Sequence, residues 1–542
     1  MRLFHCLRIG PGVALLLAGA GLAAEAEIGP TTVSFDTGCA PAVAAEFDHA
    51  VTLLHSFEYP ETRHLFETIL AQDPGCAMAR WGIAMSIWHP LWAPPSQAEL
   101  REGAAVLAAT DGSPASAREA AYIDAARTFF ASDDPLTHTQ RAAAYERSMQ
   151  ALYETRTDDI EVAAFYALAL LASAAPTDKT YAHQYKAAAI LNWIREASPY
   201  HPGALHYLIH SFDYPGLAHM ALGAATIYAE AAPDSAHAQH MPSHIFTRLG
   251  LWDRSIASNR DSTGSATAYT ERAGLRGHYD EGLHSIDYLM YALLQTARDK
   301  DAKGVLQRLG ELDKAHVDSF KAAYTYIATP ARYALERRDW GAASRLEPVP
   351  ADFPWQDFPW AMSMHHFAHG IGAIRSGNVA AAKSEVERIR QLQAGLDGTT
   401  LPYWREEMFV HADAVSAWIA LAEGRPAEAR RLAAAAADRE DAVDKHPVTP
   451  GEILPARELY ADLLAELGDH PAALAQYEAV LASAPKRHNA AAGAARAAVA
   501  AGLDREAGNY YRLLLEFASS PGADRPTVAE ARMYLAAAGA AE

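Results

Sequence analysis

Residues 456–485 decide the fold class of this chain, and they read ARELYADLLAELGDHPAALAQYEAVLASAP. Gly468 is placed to end one predicted helix, and Pro485 is placed to stop a second one. Small residues between them, at Ala461 and Ala473, let two antiparallel helices approach closely. The stretch therefore predicts a helix–turn–helix unit. Its glycine, small and aromatic positions recur 34 residues later, as Gly502, Ala507 and Tyr511.

This small–turn–small–aromatic–proline series resembles the tetratricopeptide repeat (TPR) family. Degenerate copies occur along most of the chain, at Ala50, Phe66 and Pro74; at Ile209, Ala221, Ala225 and Pro233; at Ser243, Gly250 and Ser255; at Gly370, Gly377 and Ala382; and at Ala417, Gly424 and Ala429. The resemblance implies an all-α fold, a right-handed α-solenoid of antiparallel helix pairs. It also implies that the first helix of each pair lines a concave groove.

The first residues of the chain indicate an exported, periplasmic protein. Arg2 and Arg8 precede a short apolar run at residues 13–22, and Ala24-Glu25-Ala26 fits a cleavage site. The apolar run is too short to span a bilayer, so we expect no membrane insertion. The predicted divisions are a signal peptide at 1–26, an N-terminal TPR-like solenoid at 27–345, a Pro/Trp-rich connector at 346–360, and C-terminal TPR repeats at 361–542.

Composition narrows the possible partners. The chain has 542 residues, of which 50% are hydrophobic, and a formal charge of −20. Such an acidic chain repels phosphate backbones, which argues against nucleic acid as a partner. Two cysteines, Cys39 and Cys76, follow the predicted signal peptide. In an oxidising compartment they form either one disulfide or two buried thiols, and the sequence leaves both open.

Histidines recur in the same repeat phase. His206 and His210 form an i, i+4 pair, and His240 and His244 form the same pair 34 residues later. An i, i+4 pair shares one helix face and can hold one ion. His237 lies one turn before His240. By the TPR resemblance, these positions face the groove, where five imidazoles from two neighbouring helices would converge.

Three hypotheses fit this pattern. The histidines hold a transition metal such as Cu, Fe or Zn; they line a groove for a peptide or small ligand; or they are ordinary packing residues. The next helix adds His284, Asp287 and Tyr291, which we predict as further ligand-binding residues of the groove. Asp287 would act as a ligand or would orient a histidine. The alternative is that Asp287 is a surface carboxylate.

The leading interpretation is an exported TPR-repeat binding or scaffold protein, whose histidine-lined groove binds a peptide, a partner protein or a metal ion. The alternative is a metal-dependent enzyme with an all-histidine or histidine/aspartate site. The zinc-protease His-Glu-x-x-His motif, the Gly-x-Ser-x-Gly elbow and the P-loop are absent from the sequence. The sequence thus leaves open whether the chain is an enzyme.

Overall fold

The computed structural model of the chain describes residues 33–110, 114–233, 235–312, 314–396 and 402–539. The predicted signal peptide at residues 1–26 lies outside these ranges. Within them, regular structure is helical, and extended pairing is limited to two isolated bridges, His89–Ala93 and His278–Ala315. The predicted all-α class is therefore confirmed.

The α-helices, in chain order, are α1 (Ala44–His55), α2 (Tyr59–Gln72), α3 (Ala77–Ile87), α4 (Gln97–Ala108), α5 (Ala117–Phe129), α6 (His138–Thr155), α7 (Ile160–Ser173), α8 (Ala182–Ala197), α9 (Pro202–Phe212), α10 (Leu222–Ala231), α11 (Ala236–His240), α12 (Pro242–Arg248), α13 (Trp252–Arg272), α14 (Asp280–Gln295), α15 (Asp299–Glu311), α16 (Phe320–Leu335), α17 (Trp340–Ala343), α18 (Pro359–Arg375), α19 (Val379–Gly395), α20 (Pro402–Ala422), α21 (Pro426–Asp441), α22 (Ala456–Glu466), α23 (His470–Ser483), α24 (His488–Ala500), α25 (Asp504–Phe517) and α26 (Pro526–Gly539). Short 3₁₀ turns lie at Pro41–Val43, Pro135–Thr137, Ala218–Ala221 and Trp355–Asp357.

Consecutive helices pack as hairpins, and helices two apart also touch, as α14 and α16 or α18 and α20 do. This neighbour-to-neighbour packing is that of an α-solenoid of helix pairs, as predicted. The glycines at the turns of the two C-terminal repeats end their helices, as predicted. Gly468 and Gly502 have φ values of +78° and +74°, the left-handed conformation that ends a helix.

Close approach between helices also follows from small residues. The ring of Tyr477 on α23 lies against Gly493 on α24, where a Cβ atom would come within 2.4 Å of that ring. The repeat's aromatic residue thus packs into the space that a missing side chain leaves. Substituting any larger residue at 493 would push these two helices apart.

Two large hydrophobic cores extend along the chain. One runs from Val33 to Phe246, and the other runs from Leu283 to Leu463. Phe353, in the middle of the predicted connector 346–360, and Trp360, at its end, are both buried in the second core. The connector is thus packed into that core, and the boundary we drew there stays a prediction.

Two further expectations from the sequence concern the pair of cysteines and the absence of a membrane-spanning helix. Cys39 and Cys76 form a disulfide, with Cα atoms 4.7 Å apart. Of the two readings that the sequence left open, the structure has the disulfide. None of the helices in the described part of the chain is long and apolar enough to cross a membrane.

Candidate metal centre

The first of two histidine clusters joins α9 to α11. His206 and His210, one turn apart on α9, meet His237 from α11, and one ring nitrogen of each lies within 4.8 Å of the others. The Nε2 atom of His206 lies 3.1 Å from Nε2 of His210 and 3.2 Å from Nε2 of His237. Three imidazole nitrogens therefore point at one small volume.

The second cluster joins α11, α12 and α14. His240, His244 and His284 also bring one nitrogen each to within 4.8 Å of the others. The Nε2 atoms of His240 and His244 are 3.0 Å apart, and the His284 ring centroid lies 4.2 Å from that of His240. Pro242 begins α12, and Met241 before it keeps helical backbone angles, so His240 and His244 remain one turn apart on one face.

The two clusters adjoin. Ring centroids of His210 and His244 are 6.1 Å apart, and those of His237 and His240 are 6.2 Å apart. The five histidines predicted as metal ligands thus divide into two groups, and His284 completes the second group. Each group has the three imidazoles that an open metal site needs.

The histidines are covered, although the repeat phase predicted that they line an open groove. Five of the six are between 0% and 3% exposed, and His210 is half-buried. Phe57 covers the first cluster, with its ring 4.3 Å from that of His206. Tyr288 stacks on His244 at 4.6 Å. Phe57, which follows α1, and Tyr288, on α14, therefore cover the rings that the TPR resemblance placed in an open groove.

Hydrogen bonds hold four of the rings through their Nδ1 atoms. The acceptors are the carbonyl oxygen of His55 for His206 (2.7 Å), Glu281 for His237 (3.0 Å), the side-chain oxygen of Asn259 for His240 (2.7 Å), and Asp213 for His244 (2.9 Å). Because Nδ1 donates to these acceptors, the proton sits there and the Nε2 lone pair is free. Histidines that bind metals are oriented in the same way.

Burial also favours the protonation state that binds metals. It lowers the pKa of each of the six imidazoles, and neighbouring histidines lower the pKa of His206 and His210 further. These rings are therefore neutral at neutral pH, and only neutral imidazole offers a lone pair to an ion.

Most of the acceptors that hold the rings are charged or polar groups that the sequence did not reveal. Glu281 binds both His237 and Lys321, and Glu58 accepts a hydrogen bond from the His237 backbone at 3.2 Å. Burial would raise the pKa of Asp213, but Lys445 and Arg248 outweigh it and hold that pKa well below its usual range. Asp213 is thus an ionised acceptor for His244. Asp213 alone gave a signal in the sequence, because it follows His210 by three residues and so could act as a ligand or orient a histidine.

Asp287 and Tyr291, predicted as ligand-binding residues of the groove, have other partners in the structure. Asp287 accepts hydrogen bonds from Arg332 at 3.1 Å and from Thr329 at 3.4 Å. Tyr291 accepts one from Arg487 at 3.2 Å. The structure brings neither together with the histidine nitrogens, because arginines on α16 and just before α24 hold these side chains.

A third group of metal-type residues is occupied by its own hydrogen bonds. Glu161 joins His55 Nε2 at 2.8 Å and His201 Nε2 at 3.1 Å. The remaining nitrogen of His55 is bonded to Tyr207, and that of His201 accepts from the backbone of Ala204. This group ties α1, α7 and α9 together, and the His55 carbonyl in turn holds His206.

The acceptor of His240 leads to a prediction about metal affinity. Replacing Asn259 by leucine removes the acceptor from His240 Nδ1 without changing any charge. We expect the affinity of the second cluster for a metal ion to fall about 10- to 100-fold, because the ring is no longer oriented. Competition with a chelator would measure this affinity. The first cluster is the internal control, and an equal loss at both clusters would contradict the explanation.

The more distant histidines on α18 and α20 lie in a separate group. His411 lies against Ser363, 3.1 Å from Nδ1 to Oγ, and burial lowers its pKa to about 3. Between about pH 3 and pH 6.5, the ring is therefore neutral in the folded protein but protonated in the unfolded chain. The stability it contributes is therefore present above about pH 6.5 and is lost as the pH falls toward 3.

A glutamine at 411 is expected to flatten this pH dependence. The loss of unfolding free energy between pH 7 and pH 4.5 should shrink by about 3 kcal/mol in His411→Gln, since one protonation that opposes folding is removed. Urea denaturation at the two pH values measures the difference. An unchanged difference would show that His411 titrates normally in the folded protein.

A cavity of about 570 Å³ lies next to the first cluster. Its walls come from both hydrophobic cores, including Trp92 and Trp404, and His210 is the cluster histidine that lines it in the described part of the chain. Asp213 and Lys445 lie at its wall and form an ion pair at 2.7 Å. The centre is therefore buried on most sides and reaches a cavity on one.

Comparisons with known proteins add little to this geometry. No family profile and no curated protein sequence matches the chain. The fold is similar to that of the human IFIT1 dimer with m7Gppp-AAAA, at 12% identity and a TM-score of 0.38, covering 82% of this chain and 90% of that chain. It is also similar to yeast Tom70, at 11% identity and a TM-score of 0.27, covering 74% and 93%. Scores this low carry no argument about what this chain binds.

Proposed function

We propose that this chain is a metalloprotein that holds two transition-metal ions in adjoining three-histidine sites and uses them on a small molecule. The observation that carries the proposal is the division of six buried histidines into two converging sets of three. Each set offers nitrogen donors only, which suits Cu, Zn or Fe and disfavours Mg and Ca. Among divalent ions, copper binds such donors most strongly.

The hydrogen bonds around the rings support a metal role over simple packing. A buried histidine in a hydrophobic core needs one partner, but here the Nε2 atoms of His206, His210 and His237 face one another instead of separate acceptors. Because Nδ1 holds the proton in four of the rings, the Nε2 lone pairs of His206 and His237 oppose each other at 3.2 Å, and those of His240 and His244 at 3.0 Å, unless an ion lies between them. A bound cation would relieve this repulsion at both clusters.

Three protein ligands leave a coordination position open for a further ligand. Such a position is the mark of catalytic sites, where the ion acts as a Lewis acid or a redox centre. The cavity at His210 gives a small molecule a path to the first site. We therefore propose an enzyme, with the histidines as metal ligands and the cavity as its substrate pocket.

The interpretation as a peptide-binding or protein-binding scaffold remains a prediction for other surfaces of the solenoid. Burial disfavours it for the histidines themselves, because rings that are 0% to 3% exposed offer a peptide almost no surface. His210, at the cavity wall, is the exception. A partner protein in the concave groove would have to bind elsewhere.

Metal analysis by mass spectrometry, on protein purified without an affinity tag, tests the proposal. We expect close to two transition-metal ions per chain, or uptake of two Cu²⁺ or Zn²⁺ ions by the metal-free protein. A protein that arrives metal-free and takes up neither ion would overturn the proposal. If such a protein retained a bound peptide instead, the scaffold interpretation would replace it.

A further inference from the structure

The cavity beside the first cluster has features of its own that indicate what it binds. Its volume of about 570 Å³ is within the range of pockets that enclose small organic ligands. It lies between the loop after α3 and the segment before α22, so both hydrophobic cores contribute to it. The occupant is therefore a small molecule and not a polypeptide.

Aromatic rings form two parts of the wall. In the first part, His446 is held by the buried Trp404, with centroids 5.4 Å apart, and by Tyr403 at 5.6 Å. In the second part, Trp92 stacks with His89 at 5.7 Å. Because neighbouring rings hold His446 and Trp92, the wall presents fixed aromatic surfaces. Such surfaces favour a flat aromatic guest over a puckered one of the same size.

The charged groups of the wall are already paired. Lys445 binds Asp213 at 2.7 Å, and Asp444 binds Lys179 at 2.7 Å. Burial lowers the pKa of His89 to about 4 and that of His446 to about 3, so these rings are neutral. A charged guest would lose its hydration without gaining a free counter-ion, so an uncharged guest is favoured.

Among the described residues, His210 is the cluster histidine that lines the cavity, and it belongs to the first cluster. The other five histidines of the two clusters are at most 3% exposed. We propose that the cavity binds an uncharged, flat aromatic molecule and presents it to the first three-histidine site at His210. The presentation step rests on the proposed metal pair, whereas binding in the cavity does not.

Calorimetric titration of the metal-free protein with three related probes tests the binding step. The probes are 2-naphthol, its saturated analogue decahydro-2-naphthol, and the anion 2-naphthoate. We expect 2-naphthol to bind about 10-fold more tightly than either of the others, since one stacking contact contributes about that factor. Equal binding by the saturated alcohol would overturn the aromatic preference. Equal binding by the anion would overturn the preference for an uncharged guest.

Two cavity-filling variants locate the site. Ala172 and Ala175 both line the cavity, at the end of α7 and just after it. Ala172→Trp and Ala175→Trp are expected to weaken 2-naphthol binding at least about 10-fold. Leu503→Trp, at a partly exposed position between α24 and α25, is the matched control and should bind like the unsubstituted protein. Unchanged binding in a folded Ala175→Trp protein would overturn the cavity assignment.

The presentation step has a separate test. In protein loaded with Cu²⁺, 2-naphthol should shift the visible absorption of the metal, and His210→Ala should abolish that shift. Binding without any spectral change would overturn the link to the first site and leave the cavity assignment standing. A protein that binds 2-naphthol but never takes up metal would overturn the proposed function and leave the cavity proposal standing.

Discussion

Replacing His210 or His284 by alanine is expected to halve the metal content of the protein, from two ions per chain to one. His210 belongs to the first cluster and His284 to the second, so each variant removes one of three ligands from a different site. Two remaining imidazoles hold a transition-metal ion far more weakly than three. The double variant should retain no metal after dialysis against a chelator.

The reason for choosing these two histidines is that their removal does least harm to the fold. His206 and His240 are both 0% exposed and bonded through Nδ1 to the His55 carbonyl and to Asn259, so alanine there would leave buried acceptors unpaired. Metal content would be measured by mass spectrometry, with unfolding by urea recorded for each variant. A folded variant with normal metal content would contradict the assignment of that histidine.

His411→Ala is the matched control. It also removes a buried imidazole, 6% exposed, but His411 lies against Ser363 and outside both clusters. We expect two ions per chain to remain. If His411→Ala lost metal as the cluster variants do, the losses would reflect damage to the fold and not the removal of ligands.

Breaking the disulfide is expected to cost about 4 kcal/mol of unfolding free energy. Cys39 and Cys76 are 37 residues apart in sequence, and in the chain-entropy model closing a loop of that length restricts the unfolded chain by about this amount. The bond joins the turn before α1 to the start of α3. The variant Cys39→Ser/Cys76→Ser would be compared with the oxidised protein by urea denaturation.

Reduced protein provides the control for this comparison. Unsubstituted protein treated with dithiothreitol should unfold at the same urea concentration as the double serine variant. If the oxidised protein were no more stable than either, the disulfide would not constrain the unfolded chain. A serine variant much less stable than the reduced protein would mean that buried serine hydroxyls, and not the missing bond, cause the loss.

Much of the fold could be predicted because its signals are local. Gly468 and Gly502 adopt the left-handed conformation that ends a helix, and Tyr477 packs on the next helix at Gly493, as a repeat of small and aromatic residues requires. Pro242 lies in the first turn of α12, where its missing N–H costs no helical hydrogen bond. The domain boundary at residues 346–360 was harder to predict from the sequence, because whether a proline-rich segment packs into a core depends on distant residues.

The candidate site could be predicted only in part. The i, i+4 spacing of His206 and His210, and its recurrence 34 residues later, identified the histidines that converge. The spacing did not show that they form two sites. That division depends on which distant ring each histidine of α11 meets, because His237 lies against His206 and His240 lies against His284.

Local spacing by itself determined the helix pairs, their turns and the two histidine pairs, because each of these depends on residues within about one repeat. Only the tertiary structure decided that the rings are buried, that His284 joins the second set, and that Asp287 and Tyr291 are held by arginines. It also decided that Asn259, Asp213 and Glu281 orient the imidazoles. These outcomes depend on contacts between residues from 19 to 196 positions apart, and no sequence periodicity records which distant side chains will meet.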